Sequence, residues 1–543
     1  MALIKLGKKM AVASALVTLL SACSSEESLS LSNKSIVYCA EGSPESFNPQ
    51  IITSGTTVDA TANQLYNRLI TFSTKDNSIN PSIAKSWHVT QDGKMVTFYL
   101  RKNIAFHQTD YFTPSRTLNA DDVLFSFNRV LDEEHQYHQV SGGSYPFFQT
   151  VQLRSLIQEI ERINDYTIRF KLHRSDSSFL ANLATDFSVV LSKEYAQQLS
   201  EKNEHQHIDI FPIGTGPFKL KEYKVGSLIR YYRHDEYWQG KVELEQLVFD
   251  ITPSNTGRLT KLLTNECDVV SYPIAHKKII ERPDLTLESV TSFNVAYLGF
   301  NTQKAPFNNK KVRQAIAYAI NKKSIVETIY SGKAEIAKSL LQSGSWAYDK
   351  NVVDQVYSIA KAKELLKEAG FENGFKMNIW AMNVQRPYNP NALTMAKLIQ
   401  SDLKNIGVEV NIVSYEWATF LQRVGQGEHQ TVLLGWTADH PDPDNFFTSL
   451  LSCAAVDTGN NSTLWCNEKF DDLLQKALKT GNIKKRKAYY SEALAMIAQE
   501  MPLLPLAHSK RYQARSNLVK GNILSSFGGI DFSAVTKVAG SSK

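Results

Sequence analysis

Two periodicities divide the chain. Across residues 87–100, Val96, Phe98 and Leu100 alternate with Thr97 and Tyr99 just after Gln91-Asp92-Gly93. That is the period of a strand with one buried face, entered through a tight turn. Ile168, Phe170 and Leu172 alternate with Thr167, Arg169 and Lys171 after the turn pair Asn164-Asp165, so the first half is expected to be rich in short strands and turns. Later the period lengthens. Val312, Ala315, Ile316 and Ala319 share one helical face, as do Ala362, Leu365, Leu366 and Ala369 ahead of Gly370. A further stripe, Ala392, Met395, Ala396, Ile399 and Ile406, is closed by Gly407 and followed at once by the strand alternation of Val408, Val410 and Ile412. Helix passing directly into strand predicts an α/β architecture. A strand of Val432, Leu433 and Leu434 leads into Gly435-Trp436-Thr437-Ala438-Asp439, and residues just past a strand end are where α/β sheets place ligand contacts.

At 543 residues, two or three lobes are expected. Hydrophobic residues at 43% and charged residues at 21% match a chain that buries a large core. The net charge of +6 falls to +3 once Lys5, Lys8 and Lys9 are set aside, and no dense basic run remains, so nucleic-acid binding gains no support. Those lysines, the apolar residues 10–20 and the small residues Ser21 and Ala22 before Cys23 have the form of an export signal over residues 1–22. Leu20-Ser21-Ala22-Cys23 is also similar to a bacterial lipobox, with Cys23 the lipidated first residue of the mature chain. The membrane is therefore expected to be touched only through that anchor. Cys39, Cys267, Cys453 and Cys466 remain, an even number in an exported protein, which argues for two disulfides. Three pairings are open by arithmetic; the spacing of Cys453 and Cys466 suits closure of a local loop, worth about 3 kcal/mol on the chain-entropy account.

No enzyme signature is found: G-x-S-x-G, H-E-x-x-H and G-x-x-x-x-G-K-[ST] are all missing. Gly214-Thr215-Gly216 lacks the third glycine of a dinucleotide loop and runs into strand-like Phe218 and Leu220, so a structural turn is expected. The pairs His135/His138 and His205/His207 lie in polar stretches where solvated histidines are the ordinary finding. No metal and no cofactor is expected.

Several stretches carry a resemblance over residues 35–535: Val37-Tyr38-Cys39, Phe47-Asn48-Pro49, Ser54-Gly55-Thr56, Leu118-Asn119-Ala120-Asp121-Asp122-Val123, Ile213-Gly214-Thr215-Gly216-Pro217-Phe218, Gln385-Arg386-Pro387-Tyr388-Asn389-Pro390 and Asp442-Pro443-Asp444-Asn445-Phe446-Phe447. Together they are similar to the extracytoplasmic peptide-binding proteins of ABC importers (solute-binding protein family 5), in the subgroup of dipeptide-binding and Sap-type proteins. Asp110-Tyr111-Phe112-Thr113-Pro114, Thr256-Gly257-Arg258-Leu259, Ser345-Trp346-Ala347-Tyr348-Asp349 and Ser526-Phe527-Gly528-Gly529 have a Sap-like wording. The resemblance implies a two-lobed clamp of the type II, cluster C kind. Lobe I would comprise residues 23–293 and 508–543, with an extra subdomain at about 75–200, and lobe II residues 294–507. It implies the bridges Cys39–Cys267 and Cys453–Cys466. It also implies a monomer in the periplasm of a Gram-negative bacterium that passes short peptides to an inner-membrane ABC permease and its ATPases, with a Sap-type part in antimicrobial-peptide resistance as a further expectation.

In dipeptide binders of this group an Asp at the position of Asp439 takes the ligand's ammonium and an Arg at the position of Arg386 its carboxylate. The chemistry suits a zwitterion enclosed between lobes, which must replace water at both charged ends; the planar guanidinium fork matches a carboxylate and a carboxylate accepts from ammonium. Ser54, Gly55 and Thr56, with Gly142 and Gly143, are candidates to offer backbone to an extended peptide. Tyr388 and Trp436 are candidates to line side-chain pockets, with core packing the alternative. His440, beside the ammonium site, is a candidate to oppose a cationic ligand end when protonated. The alternatives in function are a carrier of haem or longer cationic peptides and a secreted peptidase.

Overall fold

The computed structural model describes residues 34–73, 76–457 and 459–539. The export signal and Cys23 lie outside the described residues. Two large sheets organise the rest. The first has seven strands in the order Leu285–Thr291, Lys510–Ser516, Val269–Ser271, Ser35–Ala40, Gln246–Ile251, Leu228–Arg233 and Phe218–Lys224. Ser35–Ala40 runs parallel to both its neighbours, and the outer pairs are antiparallel. The second has six strands in the order Glu335–Ile336, Leu503–His508, Asn294–Phe300, Thr431–Thr437, Lys376–Ala381 and Glu409–Val413.

Each sheet has its own buried apolar cluster. The first gathers residues between Ile36 and Val269 with Val519, Ile523, Ile530, Phe532 and Val535; the second gathers residues between Phe293 and Ala507 and is joined by Phe527. Two cores under two sheets make the fold two-lobed, as expected. The chain passes between the sheets twice, from Thr291 to Asn294 and from His508 to Lys510. Asn294 ties the two passages together: its Nδ2 donates to the Ser509 carbonyl at 3.0 Å, and its Oδ1 accepts the Ser509 N–H at 2.9 Å. A fully buried Asn needs such partners, and here they fasten the hinge strands side by side.

A four-stranded antiparallel sheet, Ala84–Val89, Met95–Leu100, Thr167–Leu172 and Ile157–Asn164, shares the first sheet's apolar cluster. The two strands read from alternation appear with Phe98 and Phe170 buried in edge-to-face contact. Helix Ala120–Leu131 is started by an Asn119/Asp122 capping box. From its far end the buried Arg129 pairs with Asp209 through two bonds of 2.8 and 2.6 Å.

In the second lobe, helices Lys310–Ala319, Ile359–Glu368 and Ala392–Lys404 lie where the 3.6-residue period placed them. Gly370 and Gly407 follow the last two at positive φ, as helix-terminating glycines do. Gly214 and Gly216 form the expected structural turn: a Cβ on Gly214 would lie 2.0 Å from the Leu65 carbonyl oxygen.

Candidate functional site

The strand Thr431–Thr437 is three residues longer at its C-terminal end than its apolar run indicated, and Asp439 follows two residues past its end. Asn445, on the helix Asp444–Leu451, fixes the local geometry. Its Oδ1 accepts the Asp439 N–H at 3.1 Å and the Trp436 indole N–H at 2.8 Å, while its Nδ2 donates to Asp439 Oδ2 at 3.1 Å. Among the described residues no cationic side chain pairs with Asp439. Burial is the main reason its carboxyl is pushed up to about 7, with the Asn445 bond pulling it down and Asp186 of lobe I adding a smaller upward push.

Arg386 enters from the other lobe II loop. Its backbone closes a tight turn with Asn389 through reciprocal bonds of 3.1 and 3.0 Å. Its guanidinium lies 4.5 Å from the centroid of the Trp417 ring and faces Glu41 of lobe I at 3.6 Å. Next to it, Gln385 Oε1 accepts from Asn255 Nδ2 of lobe I at 2.5 Å. The lobe I side is densely charged. Asp186 pairs with Arg68 and accepts the Gly529 N–H at 2.6 Å. Asp59 has Arg511 at 3.7 Å and the Ile530 N–H at 3.0 Å, and burial raises it to about 6. Three acids, Glu41, Asp59 and Asp186, thus each face an arginine; the fourth, Asp439, faces none. A buried carboxylate in that condition either holds a proton or binds a cation from outside.

Of the remaining candidates, Trp436 stands with Asp439 through their shared partner Asn445. The others are placed differently. His440 is buried, accepts the Asp442 N–H at Nδ1 (3.2 Å), donates from Nε2 to Asn182 Oδ1 of lobe I at 3.0 Å, and is held neutral by burial, down to about 4. It is a neutral link between the lobes, not a switchable cation beside the ligand. Tyr388 is buried in the lobe II core with its ring against Gly435, where a Cβ would lie 2.2 Å from Tyr388 Cδ2; packing on the strand accounts for it. Ser54 caps the helix Gly55–Leu65, accepting the Thr57 N–H at 3.4 Å and donating to Glu45, so Ser54, Gly55 and Thr56 form a helix start and not an extended edge. Gly142 and Gly143 sit in a left-handed turn (φ 94° and 65°) pinned by Ser141 Oγ to Asp209 Oδ2 at 2.8 Å, which explains both glycines without a ligand.

Sequence reasoning missed Glu41, Asn445, Asn182, Asp186 and Trp417. Glu41 directly follows a strand end, a signal that was available; nothing in the sequence pairs Asn182 with His440. Both disulfides form as expected, with Cα–Cα distances of 5.9 Å for Cys39–Cys267 and 4.6 Å for Cys453–Cys466. The first anchors the strand end that carries Glu41.

The lobes touch along the far side of the gap as well. Ser177 N–H donates to the Leu478 carbonyl at 2.8 Å, and Asn460 Nδ2 to Thr150 Oγ1 at 2.6 Å. No helix among the described residues is long and apolar enough to cross a membrane.

The family described as bacterial extracellular solute-binding proteins, family 5, matches residues 78–458. The dipeptide-binding protein of Escherichia coli K12 is 46% identical over 511 residues, covering 93% of this chain and 95% of its own. The peptide transport periplasmic protein SapA of Salmonella typhimurium LT2 is 42% identical over 512 residues, covering 94% and 93%. Among solved structures, the dipeptide-binding protein of Pseudoalteromonas sp. SM9913 in complex with Met-Leu superposes with a TM-score of 0.89 at 49% identity, covering 93% of this chain and all of that one.

Proposed function

Because the chain belongs to the family 5 bacterial extracellular solute-binding proteins, we propose that it captures short peptides with free ends, di- and tripeptides foremost, by closing its two lobes, and delivers them to an ABC permease. Asp439 takes the ligand's ammonium and Arg386 its carboxylate. The observations that carry this reading are a buried carboxylate, Asp439, that no cationic side chain pairs with among the described residues, and a guanidinium, Arg386, at a contact between the lobes with a quarter of its side chain open. An ammonium supplies what Asp439 lacks, and the guanidinium supplies a planar fork for the other end. Residues 23–293 with 508–543 serve as lobe I and 294–507 as lobe II, hinged at the two passages fastened by Asn294. The working unit is a monomer, held at the periplasmic face of the inner membrane by lipid on Cys23. It performs no chemistry of its own; closure presents the permease with a surface the open form does not have.

Calorimetric titration of refolded, ligand-free mature protein tests this. Ala-Ala should bind, its N-acetylated and C-amidated forms should bind far more weakly, and Arg386→Ala should remove the preference for the free C-terminus. Equal binding of blocked and free peptides, or binding of haem with no dipeptide binding, would overturn the assignment. A Sap-type role in resistance to antimicrobial peptides is tested separately, by survival of a deletion strain exposed to cationic peptides.

A further inference from the structure

Resting on the peptide-clamp reading, this inference concerns the group that occupies Arg386 before a ligand arrives. Glu41 comes from lobe I, one residue past the strand Ser35–Ala40. Arg386 comes from lobe II. Their 3.6 Å approach is an ion pair without a close hydrogen bond, and about a fifth to a quarter of each side chain remains open, 21% for Glu41 and 25% for Arg386. The guanidinium donates from Nη1 to the Gln385 carbonyl at 3.3 Å and makes no shorter bond among the described residues, so its other N–H groups are open to a ligand carboxylate.

The other groups facing Glu41 are Arg258 and Arg511, with Asp59 and the hydroxyls of Tyr38 and Tyr272 also within reach of its charge. Arg258 is engaged with the Thr252 and Pro253 carbonyls, both at 2.8 Å, and with Asn255. Arg511 bonds the Gly528 carbonyl at 2.7 Å and faces Asp59. Both are held in lobe I. Arg386 alone among the three belongs to the opposite lobe, so it is the partner that Glu41 loses or keeps as the ligand binds.

We propose that Glu41 is an internal placeholder for the ligand's carboxylate: it neutralises Arg386 when the lobes meet with no ligand between them, and yields that guanidinium to the C-terminus of a peptide enclosed there. Two carboxylates against one guanidinium in a poorly hydrated gap repel each other, so one must leave. The displaced Glu41 stays beside Arg258 and Arg511, and burial already favours its neutral form, so it is not stranded as a lone anion. The exchange makes Arg386 unavailable to a stray small anion. A ligand wins the exchange when it also brings an ammonium to Asp439.

The test is calorimetric titration of wild type, Glu41→Gln and Glu41→Asp with Ala-Ala and C-amidated Ala-Ala. With the placeholder gone, the free dipeptide should bind Glu41→Gln about two- to fivefold more tightly, the upper range for a partly exposed ion pair, while the amide changes by less than about 1.5-fold. Glu41→Asp, whose shorter side chain reaches Arg386 less well, should shift the same ratio in the same direction by a smaller factor, and it carries the test if Glu41→Gln does not fold. Equal weakening of both ligands, or an unchanged ratio, overturns the placeholder and leaves the clamp reading intact. Failure of wild type to bind the free dipeptide at all overturns the clamp reading, and the placeholder falls with it.

Discussion

Acidifying the solution should weaken dipeptide binding through Asp439. With the lobes together and no ligand between them its carboxyl is raised to about 7, first by burial and then by Asp186. An ammonium binds the ionised carboxylate, so the ligand lowers that pKa and binding expels a proton. Proton release is disfavoured as pH falls, and affinity therefore drops below the free-state value. The size follows from the fraction ionised: about fivefold weaker between pH 7 and 6, and about tenfold more between pH 6 and 5. On the alkaline side the peptide's own α-amino group, which titrates near 8, sets the limit. Affinity should thus be greatest between about pH 7 and 8 and fall on both sides. Titration calorimetry across pH 5 to 9 measures it, and Asp439→Asn separates the causes: it should bind at least about thirtyfold more weakly at pH 7.5, as when one member of a buried charge pair is removed, and lose the acid limb. Asp444 is raised to about 7 as well, by burial and by Asp442 and Asp176. Its burial in the closed form favours closure in acid, the opposite slope, so Asp444→Asn should leave the weakening in acid in place or steepen it. A wild-type affinity that is flat from pH 8 to 5, or an acid limb that survives in Asp439→Asn, would refute the reasoning.

Three further outcomes are expected. Gly435→Ala would place a Cβ 2.2 Å from Tyr388 Cδ2 and 2.4 Å from the Val295 carbonyl oxygen, costing about 1–3 kcal/mol as overpacking; a thermal melt should show a lower midpoint, and an unchanged one would contradict the packing. Asn182→Ala removes the interlobe bond to buried His440 and should weaken dipeptide binding by the equivalent of about 1–3 kcal/mol, read by calorimetry, with unchanged affinity as the contrary result. Replacing Cys453 and Cys466 by Ser opens a loop of sequence separation 13, and urea denaturation should find lobe II less stable by about 3 kcal/mol on the loop-entropy account.

What the sequence could disclose followed the range of the interaction. Val96-Phe98-Leu100 and Ile168-Phe170-Leu172 announced their strands because alternation is local, and Gly370 and Gly407 announced helix ends because the left-handed backbone is local too. Asp439 and Arg386 were reached through a resemblance; the structure sets Asp439 against Asn445 and Asp186, and Arg386 against Glu41 and Trp417. The error at Ser54-Gly55-Thr56 is instructive: Ser54 is an N-cap, yet the helix after it, Gly55–Leu65, buries Thr57, Asp59, Thr61 and Gln64 among its apolar residues, so no amphipathic stripe marks it. The burial of Tyr388, the core alternative for that residue, and of His440 was not legible because it depends on partners far along the chain, Gly435 for one and Asn182 for the other. Glu41 was within reach of the strand-end signal, but its pairing with Arg386 was not, since 344 residues lie between them.

The central claim is that one interlobe gap holds a peptide by its two charged ends. A crystal structure of the mature protein grown with Ala-Ala tests it most directly. The account expects the ligand enclosed between the lobes, its ammonium on Asp439 Oδ atoms and its carboxylate on the Arg386 guanidinium, with Glu41 withdrawn from that guanidinium. A ligand bound elsewhere, or lying in the gap with its carboxylate away from Arg386 and its ammonium away from Asp439, would contradict it.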